Sequence, residues 1–190
     1  MKACLVACLA AGFALAAEAR AADRYVIDPG HTQVLFKADR FGLSNIFGSF
    51  AVLSGEILLD EADPSKSSVR AIIRAASLKS DNALREEHLT SERWLDAEQF
   101  PEITFVSTKV EPDGETAKVT GDLTVHGVTK PVTLDVALKK IGTDPVSKRQ
   151  AAGFSATTSV NRHDFGVTIA EPLIGADVAI MIETLAIKAD

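Results

Sequence analysis

Residues 121–136, GDLTVHGVTKPVTLDV, alternate apolar and polar side chains on either side of a central His126-Gly127 pair. The apolar side chains that recur at every second position are Leu123, Val125, Val132, Leu134 and Val136. A period of two is typical of β-strands that have one apolar face turned away from water, here called the dry face, and one solvent-exposed face. The stretch therefore predicts two strands around a tight turn. It leaves open whether the dry face encloses only its own core or a molecule from outside.

Runs with the same period occur along most of the chain, with turn-forming clusters between them. They lie at 32–39, 102–110, 153–160 and 177–188. Regularly spaced strands of this kind are typical of a β-sandwich or a closed barrel. We expect eight or nine strands. A barrel of about eight strands has an interior that side chains just fill, or that holds one small ligand.

One segment, residues 80–101, departs from this pattern because its apolar residues recur at spacings near three and four. Asp81 or Asn82 is suited to cap the start of a helix, and Glu86 would lie early in it, where negative charge is favourable. Pro101 marks its end. The segment predicts a single helix.

The first 21 residues have the anatomy of a cleaved secretory signal peptide. Lys2 gives a positive start, residues 3–17 form an uncharged apolar run, and small residues follow. The apolar run is too short to span a membrane comfortably. We expect cleavage after Ala19 or Ala21. A lipid anchor on Cys8 is the weaker alternative, because almost no apolar region would precede it.

Removal of residues 1–21 would leave one domain at 22–190, long enough to bury a core of its own. That domain has 18 basic and 25 acidic residues and a net charge of −7. Nucleic acid is excluded as a partner, because its recognition depends on basic patches. Both cysteines, Cys4 and Cys8, lie in the removed segment. The exported domain therefore has no disulfide.

Few residues point to catalysis. The sequence has no Gly-x-Ser-x-Gly, no phosphate-binding glycine loop followed by lysine and no His-Glu-x-x-His, and residues 22–190 have no cysteine nucleophile. The four histidines are dispersed and none has metal-ligand spacing, so no metal is predicted. They are His31, His88, His126 and His163.

The stretch 162–166, RHDFG, is the exception, since it combines three polar groups with an aromatic ring. A salt-bridged turn with Phe165 closing one end of the barrel is the favoured interpretation. The alternative is a hydrolase that uses Arg162, His163 and Asp164. A charged cluster without a nucleophile specifies no reaction, and we therefore predict no catalytic residue.

Six stretches in order carry a resemblance to a known family: YVIDPGHTQVLFKA (25–38), GSFAVLSGEILLDEADP (48–64), NALREEHL (82–89), FPEITFVST (100–108), GDLTVHGVTKPVTL (121–134) and AGFSATTSVNRHDFG (152–166). The chain resembles the YceI-like family of bacterial periplasmic proteins, described as polyisoprenoid-binding and lipocalin-like in fold. The resemblance implies an all-β, eight-stranded antiparallel barrel with one short helical segment covering an end. It also implies an elongated apolar pocket for an isoprenoid quinone or a polyprenyl chain.

On this resemblance the dry faces and the helical segment would contact the ligand. The candidate binding residues are Phe36, Arg40, Phe41, Phe50, Ile57, His88, Trp94, Phe105, Leu123, Val125, Leu134, Phe154 and Phe165. Related sequences often have histidine where this chain has Arg40, and arginine there favours an anionic or carbonyl-bearing head group. An ordinary closed core is the competing interpretation of the aromatic residues.

The resemblance also sets the expected partners. No cofactor is expected beyond a bound isoprenoid lipid. Other long apolar molecules, such as fatty acids or their amides, are the alternative ligands. Transient contact with a membrane or a membrane protein, and a homodimer, are further expectations, and the predicted location is the periplasm.

Overall fold

The computed structural model describes residues 22–190. The predicted signal peptide, with its cleavage sites and Cys8, lies outside the described residues. Ten strand segments follow in chain order: β1 Asp23–Ile27, β2 Gln33–Arg40, β3 Ser44–Phe50, β4 Val52–Leu59, β5 Ser68–Arg74, β6 Glu102–Asp113, β7 Thr116–Val125, β8 Val128–Thr143, β9 Gln150–Asn161 and β10 Ile174–Lys188. One α-helix, α1, covers Ala83–Thr90, and single 3-10 turns cover Pro29–His31, Pro64–Lys66, Ala75–Ser77 and Arg162–Phe165.

The ten segments occupy eight positions in a closed antiparallel barrel. β1 and β2 both pair with β10, β1 near residue 187 and β2 along 174–183, so that together they form one bent strand. β3 and β4 form a second bent strand that divides at Ala51, with β3 on β2 and β4 on β1. The remaining strands follow as a meander from β4 to β10. The predicted eight-stranded barrel is confirmed, and the two bends explain why ten segments appear.

The bend between β1 and β2 is built by Asp28. Its carboxylate accepts a hydrogen bond from the Gly30 backbone N–H at 2.8 Å and contacts His31 Nδ1 at 2.6 Å. Pro29 opens the short 3-10 turn that these bonds stabilise. Proline at the first position of such a turn leaves no amide unpaired there. The local sequence DPGH thus interrupts the strand while the chain continues along the same side of β10.

The hairpin predicted from residues 121–136 is formed by β7 and β8. Val125 pairs with Val128, which leaves a two-residue turn at His126 and Gly127. Both turn residues have positive φ, 51° and 72°. Turns of two residues with positive φ match the right-handed twist of the strands that they connect. The apolar face of the hairpin is directed into the barrel, and the hairpin prediction is confirmed.

The predicted helix over residues 80–101 is shorter in the structure. Asn82 caps α1 by accepting a hydrogen bond from the Arg85 N–H at 2.9 Å, and the helix ends at Thr90. The hydroxyl of Ser91 donates to the His88 carbonyl at 2.7 Å, a local bond that competes with helix continuation. The chain then continues to residue 100 as successive turns. The residue range was wrong, although the helix and one of its two candidate caps were predicted.

Part of the barrel lumen is a filled core. Tyr25 is 1% exposed, and Ala152 and Ala186 pair across β9 and β10 at 1% and 0% exposure. All three belong to one buried cluster that continues through Ile27 and Val52. Within residues 22–190, no helix has the length and apolar character needed to cross a bilayer.

Candidate ligand-binding cavity

The rest of the lumen holds a cavity of about 500 Å³. Small-molecule sites in proteins commonly fall at roughly 300–1,000 Å³. The wall is formed mainly by Val, Ile, Leu, Ala and Phe side chains that alternate along the strands. The dry face of residues 121–136 is part of this wall, through Leu123, Val125, Val132, Leu134 and Val136.

The cavity is elongated along the barrel. At one end its lining includes Arg40 from the end of β2 and His88 from α1. At the other it includes Ser68 from the start of β5 and Val110 near the end of β6. Because Arg40 and His88 are also exposed residues, the cavity reaches the surface at the α1 end. We call this end the mouth.

Two phenylalanine rings lie flat against the wall because glycines stand beneath them. A Cβ atom on Gly48 would be 2.3 Å from Cζ of Phe36, and one on Gly121 would be 2.5 Å from Cζ of Phe105. Any residue other than glycine would displace these rings toward the axis of the barrel. The Phe36 ring also packs against Phe50, with centroids 5.6 Å apart and planes tilted by 43°. The aromatic–glycine pairs therefore keep the lumen open.

Twelve of the thirteen candidate residues line this cavity, and one does not. The lining residues are Phe36, Arg40, Phe50, Ile57, His88, Trp94, Phe105, Leu123, Val125, Leu134, Phe154 and Phe165. Their contact with a ligand stays a prediction. The alternation of side chains along each strand identified the lining residues on β2 to β9, since the inward positions of a barrel alternate with outward ones.

Phe41 lies outside the lining, in the turn between β2 and β3. Its φ is 63°, the residue is 42% exposed, and the Arg40 guanidinium lies 4.0 Å above its ring centroid. Its N–H donates to the Leu173 carbonyl at 2.8 Å. The inward positions of β2 are Phe36, Ala38 and Arg40, so the same alternation directs Phe41 away from the lumen. Strand alternation therefore gave no support to Phe41 as a lining residue.

Arg85 is a lining residue that sequence reasoning missed. Its Nε donates to Ser80 Oγ at 2.9 Å, and an Nη atom donates to the Ser80 carbonyl. Ser80 is itself buried, and its N–H donates to Glu86 Oε1 at 2.7 Å. That bond and Lys79 lower the pKa of the Glu86 carboxyl. The spacing of Arg85 and His88 on one helical face was the available signal, because positions three apart share a face.

Arg162 is held by backbone oxygens. Its Nε donates to the Gly175 carbonyl at 3.0 Å and Nη2 to Ile174 at 2.9 Å, while Nη1 donates to Val167 at 2.5 Å and Ile169 at 2.9 Å. Burial lowers the pKa of this guanidinium. The predicted turn is present; its arginine binds backbone carbonyls, and the acidic contact at the turn is that of Glu171 with His163. The role of this arginine is to fix the loop at 167–175.

The neighbours of Arg162 fit the same structural role. Phe165 is 3% exposed and lines the cavity. His163 Nδ1 lies 4.0 Å from Glu171 Oε2. His126 packs edge-on against the Phe100 ring at 5.0 Å, with its Nδ1 3.3 Å from the Phe165 carbonyl. Across residues 22–190, no three His, Cys, Asp or Glu side chains are close enough to hold a metal ion.

A closed antiparallel barrel with an elongated apolar cavity that reaches the surface at one end defines a lipocalin-like class of barrel. A family model of the YceI-like domain matches residues 25–186. A UPF0312 protein of Pseudomonas putida strain GB-1 is 44% identical over 164 residues, which cover 85% of this chain and 82% of the relative. The chain therefore belongs to the YceI-like family, and the resemblance stated above is confirmed.

Two solved structures share the fold. BcnA of Burkholderia cenocepacia gives a TM-score of 0.74 at 23% identity, over 84% of this chain and 98% of BcnA. A polyisoprenoid binding domain from Saccharophagus degradans, implicated in plant cell wall breakdown, gives 0.67 at 13% identity, over 87% and 98%. At these identities the likeness shows the fold alone.

Proposed function

We propose that this protein is a non-catalytic periplasmic carrier that holds a polyisoprenoid lipid, an isoprenoid quinone or a polyprenyl chain, in the barrel cavity. The observation that carries the proposal is the elongated cavity of about 500 Å³ with an almost entirely apolar wall. The neighbour described as a polyisoprenoid binding domain has the same fold. Export to the periplasm is supported by the signal-peptide pattern of residues 1–21.

The energetics of such a ligand are favourable in water. Burial gains roughly 0.8 kcal/mol per carbon, or about 4 kcal/mol for a five-carbon isoprenoid unit. About four or five buried units outweigh an association cost of order 4–15 kcal/mol. Relative to a bilayer the chain gains almost nothing, because lipid tails are already apolar. The protein therefore carries, stores or shields a lipid between membranes, and transient contact with a membrane or a membrane protein would supply it.

Native mass spectrometry of protein freshly isolated from the periplasm, followed by solvent extraction and identification of the released lipid, tests this function. We expect a bound isoprenoid at close to one per barrel. Extracted fatty acids or amides would favour the alternative ligands. A protein that is empty as isolated and binds no long-chain lipid after delipidation contradicts the carrier function.

A further inference from the structure

The charged side chains that line the cavity all have the same sign. They are Arg40, Arg85 and Arg162, and no Asp or Glu of residues 22–190 is among the lining residues; the imidazole of His88 is a fourth polar group of the lining. The domain as a whole has more acidic than basic residues, so its composition does not explain a lining without carboxylates. All four lie at the mouth, at the ends of β2 and β9 and on α1.

The acidic side chains next in sequence to these arginines bind other groups. Glu86 accepts hydrogen bonds from the Ser80 N–H and from Lys79 Nζ, at 2.7 and 3.2 Å. Asp39 accepts from the Gly42 N–H at 2.8 Å in the β2–β3 turn. Within the described part of the chain, neither Arg40 nor Arg85 forms an ion pair with a carboxylate.

The three guanidinium groups differ in the number of N–H donors that are not yet hydrogen-bonded. Arg162 uses four of its five N–H donors on backbone carbonyls. Arg85 uses its Nε and one Nη on Ser80, which orients the group and leaves the other Nη free. The Arg40 guanidinium is stacked on the Phe41 ring and, in the described residues, forms no hydrogen bond or ion pair. Two oriented cations at the mouth thus have unused donors.

We infer that the cavity takes a long-chain amphiphile with an anionic head, a carboxylate or a phosphate ester. The head is bound by Arg40 and Arg85, with His88 beside them, and the chain lies in the lumen. The inference rests on the proposed function and narrows it. Charge-assisted hydrogen bonds from arginine to carboxylate or phosphate are stronger than those to a neutral oxygen. A neutral quinone or alcohol would leave both cations without a counter-charge.

Ligands that share a chain and differ in the head test this. Delipidated protein is titrated with farnesyl phosphate, farnesoic acid and farnesol, and with palmitic acid and cetyl alcohol, and the fluorescence of Trp94 is followed. Trp94 lines the cavity and is the only tryptophan of the chain. We expect the anionic members of each set to bind at least about tenfold more tightly than the alcohols. Tighter binding of the farnesyl ligands would indicate an isoprenoid ligand, and tighter binding of the sixteen-carbon ligands would indicate a fatty acid.

Arginine variants test which side chains cause the preference for the anionic head. Arg85→Gln and Arg40→Gln should each lower the ratio of anion affinity to alcohol affinity, and Arg85→Lys should retain part of that ratio. Arg70→Gln is the matched control, because Arg70 is exposed on the outer face of β5 and its loss changes net charge equally. The test is done on variants whose melting curves match the parent protein.

Equal affinity for acids and alcohols overturns the anionic head and leaves the carrier function standing. An equal effect of Arg70→Gln and Arg85→Gln also overturns it, since the preference would then follow net charge alone. Failure of every ligand to bind contradicts both the head group and the carrier function.

Discussion

The ring of Phe105 lies across Gly121 on the adjacent strand, with Cζ 2.5 Å from the position that a Cβ atom of that glycine would occupy. β6 and β7 are therefore matched in shape at this point as well as in register. The ring uses space that the glycine leaves free, and the lumen beside it stays open. The capacity of the cavity thus depends on a residue that has no side chain.

Gly121→Ala should displace the Phe105 ring into the lumen and reduce the amount of bound lipid. The Val106 carbonyl is also 2.6 Å from the added Cβ, so we expect a lower melting temperature, from overpacking of about 1–3 kcal/mol. Gly153→Ala is the control, because its Cβ would meet nothing closer than 3.6 Å. Addition of Phe105→Leu to Gly121→Ala should restore lipid binding. Unchanged lipid content in Gly121→Ala would show that the ring does not control the lumen.

Val125→Phe and Leu134→Trp should leave a folded barrel that holds less lipid. Both residues line the cavity, where open space accepts added bulk at the expense of the ligand. The measurements are a melting curve of delipidated protein and the stoichiometry of extracted lipid. Val106→Phe adds similar bulk on the outer face of β6, where Val106 is 42% exposed, and should change neither. Strong destabilisation of the two lining variants, together with an absence of lipid in the parent protein, would instead indicate a closed core.

Arg162→Gln should destabilise the protein by about 3 kcal/mol, because four buried or partly buried carbonyls lose a charged donor. Chemical denaturation gives this free energy of unfolding. Arg149→Gln is the control, since Arg149 also donates to a carbonyl, that of Lys188, but from a side chain that is 46% exposed. Its loss should cost less than about 1 kcal/mol. Similar costs for the two variants would mean that Arg162 does not fix the loop.

The His31 imidazole should titrate above 6.5, because the hydrogen bond and the charge of Asp28 raise its pKa. A raised pKa in the folded state means that the pair stabilises the protein below 6.5 and that this stabilisation is lost as the pH rises through the folded pKa. The pKa of Asp28 is lowered by the same hydrogen bond, so the contribution is also lost as the pH falls below 3.8 through the folded value. NMR titration of His31 in the parent protein and in Asp28→Asn measures the shift. The same midpoint in both proteins would contradict it.

The exported protein should begin at Arg20 or Ala22 and have no lipid attached. The basis is the charged start, the apolar run and the small residues that follow. Intact-mass measurement and N-terminal sequencing of protein from a periplasmic fraction identify the first residue. A lipid-modified Cys8, or retention of Met1, would show that the predicted processing is wrong.

Sequence periodicity predicted the parts of the site that lie on regular strands. Leu123 and Leu134 could be assigned to one face because the alternation of a strand admits only two faces. The bends at Asp28 and Ala51 could not be predicted in the same way. In sequence, a strand that is interrupted by a bend has the same pattern as two separate strands. The count of segments therefore exceeded the expected number while the barrel class was right.

The mouth was harder to predict because it is built from turns and one short helix. The segment after Thr90 keeps helical spacing in sequence, yet folds back through bonds such as that of the Asp96 N–H to the Ser91 carbonyl. Phe41 lies in a turn with a positive φ that bulky residues rarely have, and this turn could not be predicted from the strand before it. Arg85 faces the cavity because Ser80 orients it, a contact between loop and helix that no periodic pattern contains.

The division of the wall at Ala51 leaves β3 supported unequally on its two sides. One side pairs with β2 along seven residues, whereas the other, in the described part of the chain, is paired only where Ser49 and Lys79 exchange two backbone hydrogen bonds of 2.8 and 2.9 Å. Local opening occurs at the places where fewest bonds hold a structure. The barrel thus has a seam beside the mouth, and parting it would lengthen the aperture from an end into a slit. A long flexible chain would then enter sideways, along its length, without being threaded from its tip.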